Sequence, residues 1–320
     1  MKKILLCALC LSLPWLVDAA PAPTPMPISE AVPGGVAVVK LPVSGKHAPK
    51  VKLGEHRLMV LSHDGVWYAL VGISLDTAPG ELTLDVLQSG ALAQQIRFSV
   101  TLKQYPEQSL TITNPEMVNP TPAQLRRIDR EQRHLDKVVN GWRKTASPAI
   151  SFIWPAKGPE TSRFGVRRVL NGEARSPHSG IDIGAPTGTP IHAPADAVVA
   201  DVGRYYFCGK TLTLDMGEGL YSVYCHLSKI YVKPGQKVRQ GLMVGRIGAT
   251  GRTTGPNLHW TVRLNGTVVD PGVFLGANAP VLPPLPPAAS AAPSLPATTR
   301  VVPAAATTAS PAAVTATHKN

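Results

Sequence analysis

Aromatic residues make up only 5% of this chain and charged residues only 16%, both low for a globular protein. Acidic residues are the scarcer charges, 20 Asp and Glu against 32 Lys and Arg, which leaves a net charge of +12. There is no dense Lys/Arg run with interleaved aromatics, so a nucleic-acid surface is not expected. Beyond the first seventeen residues no apolar run approaches the roughly 18 residues needed to cross a bilayer. Cysteine is rare too, with four in 320 residues, and Cys7 and Cys10 lie close to the start. Proline and glycine, by contrast, are plentiful at 32 and 28. That abundance argues against a mostly helical protein and for strands, turns and unstructured stretches.

The opening MKKILLCALCLSLPWLVDAA has two lysines, an apolar stretch and small residues at Ala19 and Ala20. It reads as a secretory signal peptide over residues 1–19, which implies export to the periplasm or cell envelope, with release from the cell as a variant. Loss of this leader lowers the net charge to +11 and leaves Cys208 and Cys225 as the remaining cysteines. In an oxidising compartment a single disulfide is the natural reading, with two buried thiols as the alternative. The basic balance suits an acidic partner, such as a carboxylate-rich cell wall or an anionic membrane face.

Residues 20–34 are Pro/Ala-rich and are expected to be a linker without a core. From residue 35 to 116, short runs such as GVAVVKL, HRLMVLS, VWYALVGI, ELTLDVL and QIRFSVTL alternate with turn clusters. They predict a small β-sandwich-like N-terminal domain. A connector over 117–147 should hold one helix, from a Thr121/Gln124 capping box with Pro122 at its first position to about Trp142. Residues 148–276 return to strands and glycines and form a second, antiparallel β domain. The tail 277–320 holds 14 Ala, 9 Pro and 9 Ser or Thr in 44 residues and is expected to be disordered, with tethering to wall or membrane as its role. The fold class is therefore mainly β.

The second domain carries the chemistry. In SPHSGIDIGAPTGTPI, His178 and Asp182 lie four apart on extended chain, so their side chains share a face, and an imidazole with a carboxylate suits zinc. In GPNLHWTVRLNG a loop turns into a strand and puts Asn257 and His259 on one face. His259 can then complete a three-residue site that keeps a fourth position for water, as catalytic zinc sites do. The segment LTLDMGEGLYSVYCHLS predicts a hairpin with Tyr224 and His226 on one face and Cys225 on the other, facing Cys208.

These segments, with TSRFGVRR and VKPGQKVRQGLMVGRIGATGRTTGPNLHW, resemble in order and spacing the lysostaphin-type (LytM) zinc peptidases of bacterial cell walls. The first domain resembles the β-rich domain that precedes the catalytic one in proteobacterial members. The resemblance implies a compact β domain with a narrow groove, one Zn2+ per chain and hydrolysis of peptide bonds in peptidoglycan stems or cross-links. It assigns His178, Asp182 and His259 as zinc ligands and His226 as a catalytic histidine. Asn257 stands where the family has the first histidine of a His-x-His motif; it can hold a water or an oxyanion but cannot titrate near neutral pH. Arg163 falls at the start of the groove wall, a candidate for a stem-peptide carboxylate. Two other readings stay open: a weak or inactive peptidoglycan-binding regulator that activates another hydrolase, and a peptidase acting on secreted proteins.

Overall fold

The computed structural model describes residues 25–88 and 91–276. The leader expected at 1–19, the first residues of the linker and the tail at 277–320 lie outside the described residues.

Two antiparallel sheets make up the N-terminal part. Val66–Gly72 is flanked by Val36–Lys40 and Met59–His63, while the second sheet runs His56–Arg57, Lys50–Leu53, Gly80–Gln88, Ala91–Val100. The predicted His63-Asp64-Gly65 turn closes a hairpin, with Asp64 at φ 50° and Gly65 at φ 75°, the two positive values a tight primed turn needs. Alternation along the strands then divides their side chains between two cores. Ala37, Ala69 and Val71 pack with Leu84 and Val86 inside the sandwich, whereas Val36, Met59 and Leu70 join the core of the second domain.

The second domain centres on an antiparallel sheet ordered Lys237–Val238, Ala197–Tyr205, Gly209–Gly217, Leu220–Leu227, Asn257–Leu264, Ile181–Gly184, Glu160–Ser162. Thr267–Val269 pairs with the strand Asn257–Leu264 as well. One face of this sheet is the main core. Trp260 lies 6.2 Å from Phe152 and 5.9 Å edge-on from Trp154, and Phe152 stacks at 5.0 Å on Phe274. Asn265, in the turn after the strand Asn257–Leu264, ties the two parts together by donating to the Leu70 carbonyl at 2.9 Å and accepting from the Met59 amide at 3.2 Å.

The helix runs Pro122–Val139 with the expected reciprocal cap between Thr121 and Gln124. It stops three residues short of Trp142, with Asn140 as its C-cap, and its apolar packing lies in its second half: Val139 sits on Tyr221, Val223 and Cys225, while Leu125 remains 51% exposed. This is the face of the central sheet opposite Trp260. Two further expectations change. Residues 25–34 are not without packing, since Met26 touches the main core and the Ile28 amide donates to the Val273 carbonyl at 2.8 Å. Glu107–Leu110, expected in the first domain, pairs in parallel with Arg167–Leu170 of the second. Among the described residues no helix is long and apolar enough to cross a membrane.

Candidate metal centre

Antiparallel pairing places Asp182 directly opposite His259, so their side chains emerge on the same face of the sheet. His178 reaches the same point from the turn before Ile181–Gly184. Gly180 between them makes this possible, because a Cβ there would lie 2.4 Å from the Trp260 carbonyl oxygen. The result is a tight triangle: His178 Nε2 is 3.0 Å from Asp182 Oδ1 and 2.9 Å from His259 Nδ1, and His259 Nδ1 is 2.8 Å from Asp182 Oδ1. His178, Asp182 and His259 are buried or nearly so.

Whether this group fits a metal ion follows from where the protons are. His178 Nδ1 is 2.8 Å from the Arg163 carbonyl, which can only accept, so Nδ1 carries the hydrogen and Nε2 presents a lone pair. His259 holds Thr261 Oγ1 at 2.9 Å through Nε2, turning Nδ1 inward. Two inward ring nitrogens and a carboxylate oxygen thus converge with at most one hydrogen to serve three close contacts while both rings are neutral. That donor set calls for a cation, and nitrogen with carboxylate oxygen is the choice zinc makes. The outer contacts agree: Arg168 Nη2 donates to Asp182 Oδ2 at 2.6 Å, leaving Oδ1 to face the histidines. Burial by itself would raise the Asp182 carboxyl, but the His178 and His259 imidazoles set against it hold it well below the usual carboxylate range. Burial keeps the His259 imidazole below its ordinary value even with Asp182 beside it.

His226 stands next to this group, its ring centroid 6.1 Å from that of His259. Strict alternation along Leu220–Leu227 would put Leu227 on the face opposite Tyr224, yet both lie in the main core. A bulge takes up the extra residue, and His226 adopts a left-handed φ of 68°. Two bonds hold it there: its amide donates to the Cys208 carbonyl at 2.7 Å, and Nδ1 donates to the Thr250 carbonyl at 2.7 Å. Nε2 is left as the acceptor. Burial, followed by the charge of His259, lowers the imidazole to about 4, so it is neutral at ordinary pH.

A cavity of about 40 Å³ opens at this point, lined by Asp182, His226, Asn257, Arg168 and Arg252 among others. Asn257 Oδ1 is buried there with no hydrogen-bond partner, which leaves its carboxamide available to a water or substrate. Leu110 and Ile112 of the connecting segment form the outer wall.

The residues singled out from the sequence are thus brought together with three exceptions. Arg163 does not line the cavity; its side chain lies 4.0 Å from Glu160, and its contribution to the centre is the carbonyl that orients His178. Cys208 and Cys225 stand as thiols, not as the expected disulfide, although the Cys208 side chain hydrogen-bonds with that of Cys225. The turn that follows Ala197–Tyr205 brings them together, but no covalent link is formed. Tyr224, beside His226 in sequence, is fully buried in the core. Nothing in the sequence singles out Arg168 or Arg252, because one arginine of TSRFGVRR looks much like another and GRTTG reads as a turn.

Comparison with known proteins agrees with this geometry. Residues 176–271 match the model of Peptidase family M23, and residues 29–103 match that of the Peptidase family M23 N-terminal domain. A crystal structure from Pseudomonas aeruginosa assigned to the M23 peptidases superposes with a TM-score of 0.66 at 39% identity, covering 78% of this chain and 96% of that one. The peptidoglycan DD-endopeptidase ShyA of Vibrio cholerae is 37% identical over 127 residues, 39% of this chain and 29% of ShyA. The DD-carboxypeptidase/endopeptidase Mpg of Neisseria meningitidis is 43% identical over 94 residues, 29% of this chain and 22% of Mpg. The chain therefore matches less than a third of the length of either curated relative.

Proposed function

The chain belongs to peptidase family M23, and from that premise we propose that it is a zinc-dependent endopeptidase hydrolysing peptide bonds in bacterial peptidoglycan. The observation that carries the reading is the convergence of His178 Nε2, Asp182 Oδ1 and His259 Nδ1 beside a neutral, oriented His226. The relatives named for peptidoglycan cleavage support the substrate, and so does the basic balance of the chain, which suits a carboxylate-rich wall.

His178, Asp182 and His259 would hold the ion. Bound there, zinc supplies a Lewis acid for the scissile carbonyl and makes a water easier to deprotonate. The remaining work falls to the chain's own side chains. His226 keeps its Nδ1 hydrogen on the Thr250 carbonyl, so Nε2 takes the proton from the attacking water and returns it to the leaving amine. Asn257 would turn its Nδ2 hydrogens to the oxygen that gains charge, a role it fills without titrating, while its unpartnered Oδ1 can accept from a water. Arg168 holds the Asp182 carboxylate in place through Oδ2.

The leader-like start implies work outside the cytoplasm, in the periplasm or envelope. The full chain, loaded with zinc and incubated with isolated peptidoglycan sacculi, is expected to release fragments that a chelator suppresses, and their masses name the bond cut. Zinc-replete protein that releases nothing would overturn the enzyme reading in favour of a wall-binding regulator.

A further inference from the structure

Two arginines, Arg168 and Arg252, line the metal-centre cavity with Arg175 nearby, and their charges are not equally neutralised. Arg168 is paired with Asp182 at 2.6 Å, and Arg175 with Glu173 at 2.6 Å. Arg252 has no carboxylate within ion-pair distance among the described residues. Its guanidinium donates once, from Nη1 to the Met117 carbonyl at 3.2 Å, and lies 4.1 Å from the centre of the Phe207 ring. It is partly withdrawn from water. That burial, and then the nearby charge of Arg168, presses its ionisation downward, but a guanidinium keeps its charge. Buried charge is ordinarily paired. Here Nε and Nη2 have no hydrogen-bond partner among the described residues, and the neighbouring Thr253 and Thr254 line the same cavity.

The backbone that carries Arg252 is held rigidly. Gly251 has φ 79°, and a Cβ on it would lie 2.3 Å from the Phe207 carbonyl oxygen; the Arg252 amide donates to that oxygen at 2.7 Å. Two residues earlier, the Thr250 carbonyl orients His226. One short loop therefore sets both the proton-transferring imidazole and an unneutralised guanidinium at a fixed separation, as positioning of a substrate relative to the reacting bond requires.

We propose that Arg252 is a specificity-determining residue that binds a carboxylate of the substrate peptide close to the scissile bond. This rests on the peptidase reading above and narrows its substrate class to peptides with an anionic group at that place. Two sources offer the same chemistry, the α-carboxylate of a terminal D-amino acid and the side-chain carboxylate of a diamino acid in the stem. An arginine fork takes either one bidentately.

The test uses the full zinc-loaded chain and four synthetic cross-linked peptides: both carboxylates free, each one amidated in turn, and both amidated. For the wild type, kcat/KM should fall by about 10- to 100-fold when the recognised carboxylate is amidated, the range expected for losing a charge-assisted hydrogen bond; the peptide that suffers names the source. In Arg252→Gln that ratio should collapse to within about twofold, through slower cleavage of the free carboxylate alone, and Arg252→Lys should fall between. A wild-type ratio near one would overturn the proposal without any variant. So would an equal loss on all four peptides in Arg252→Gln with zinc content intact, which marks Arg252 as a prop for the Met117 segment. Equilibrium binding of the same peptides, measured by calorimetry, separates the two ideas. A carboxylate preference in binding that Arg252→Gln removes, with no cleavage by the wild type, overturns the peptidase reading and keeps the site. No preference in binding or cleavage overturns the site.

Discussion

The strand Asn257–Leu264 shows two regions of this molecule in eight residues. Leu258, Trp260, Val262 and Leu264 point to one side and are fully buried, whereas Asn257, His259, Thr261 and Arg263 point to the other. The first side is close-packed apolar core, tied to Phe152, Tyr224 and the N-terminal sheet. The second is a run of polar groups that hold one another: His259 against Asp182 and Thr261, and Arg263 against Asp136 of the helix. The comparison teaches a division of labour. The apolar side contributes stability that is indifferent to metal, and it makes rigid the backbone from which the polar side hangs. The polar side holds charge that pairs imperfectly among the described residues, with Asn257 Oδ1 unsatisfied, Arg252 unneutralised and two histidine nitrogens crowded on one carboxylate oxygen with at most one hydrogen among them. Such a surface contributes little to stability until ligands complete it.

Substitutions on the two sides should therefore separate cleanly. The largest effect on chemistry is expected from His226→Gln, which keeps a polar group but removes the base: kcat should fall by about 100- to 10,000-fold with zinc content unchanged, measured on a cross-linked peptide. If zinc were lost as well, His226 would be acting through the metal group. On the apolar side, Trp260→Ala should cost about 3–5 kcal/mol in chemical denaturation, with the zinc-free chain losing as much as the loaded one. A loss seen only with zinc present would break the division between the faces. The smallest of the three is Arg168→Gln, which frees Asp182 Oδ2 and should weaken zinc about 10- to 100-fold in competition with a chelating dye, while the unfolding midpoint of the zinc-free chain stays close to wild type.

Much of the polar side was legible in the sequence because it depends on short spacings. His178 and Asp182 are four apart on extended chain, and Asn257 and His259 two apart on a strand, and alternation is enough to put each pair on one face. The Thr121 cap and the Gly217-Glu218-Gly219 turn were legible for the same local reason. What could not be read arises from contacts between distant segments. Alternation alone places Tyr224 and His226 together; the bulge separates them, sending Tyr224 into the core and His226 to the cavity. The pairing of Glu107–Leu110 with Arg167–Leu170 joins segments some sixty residues apart and has no signature within either. Arg163, Arg168 and Arg252 differ only in what surrounds them: Glu160 for the first, Asp182 for the second and no carboxylate for the third. The expectation of a coreless segment over 20–34 follows from composition, which says nothing of the Val273 carbonyl and the core that receive its described part, 25–34.

The central claim is that the polar side of this sheet is a zinc centre built by His178, Asp182 and His259. Its most direct test is the zinc content of the purified full chain by plasma mass spectrometry after dialysis, with His259→Ala and Val262→Ala prepared alongside as substitutions of the two faces of one strand. About one zinc per chain is expected in the wild type and in Val262→Ala, and almost none in His259→Ala while its circular dichroism remains that of the folded β protein. Stoichiometric zinc in folded His259→Ala would contradict the claim.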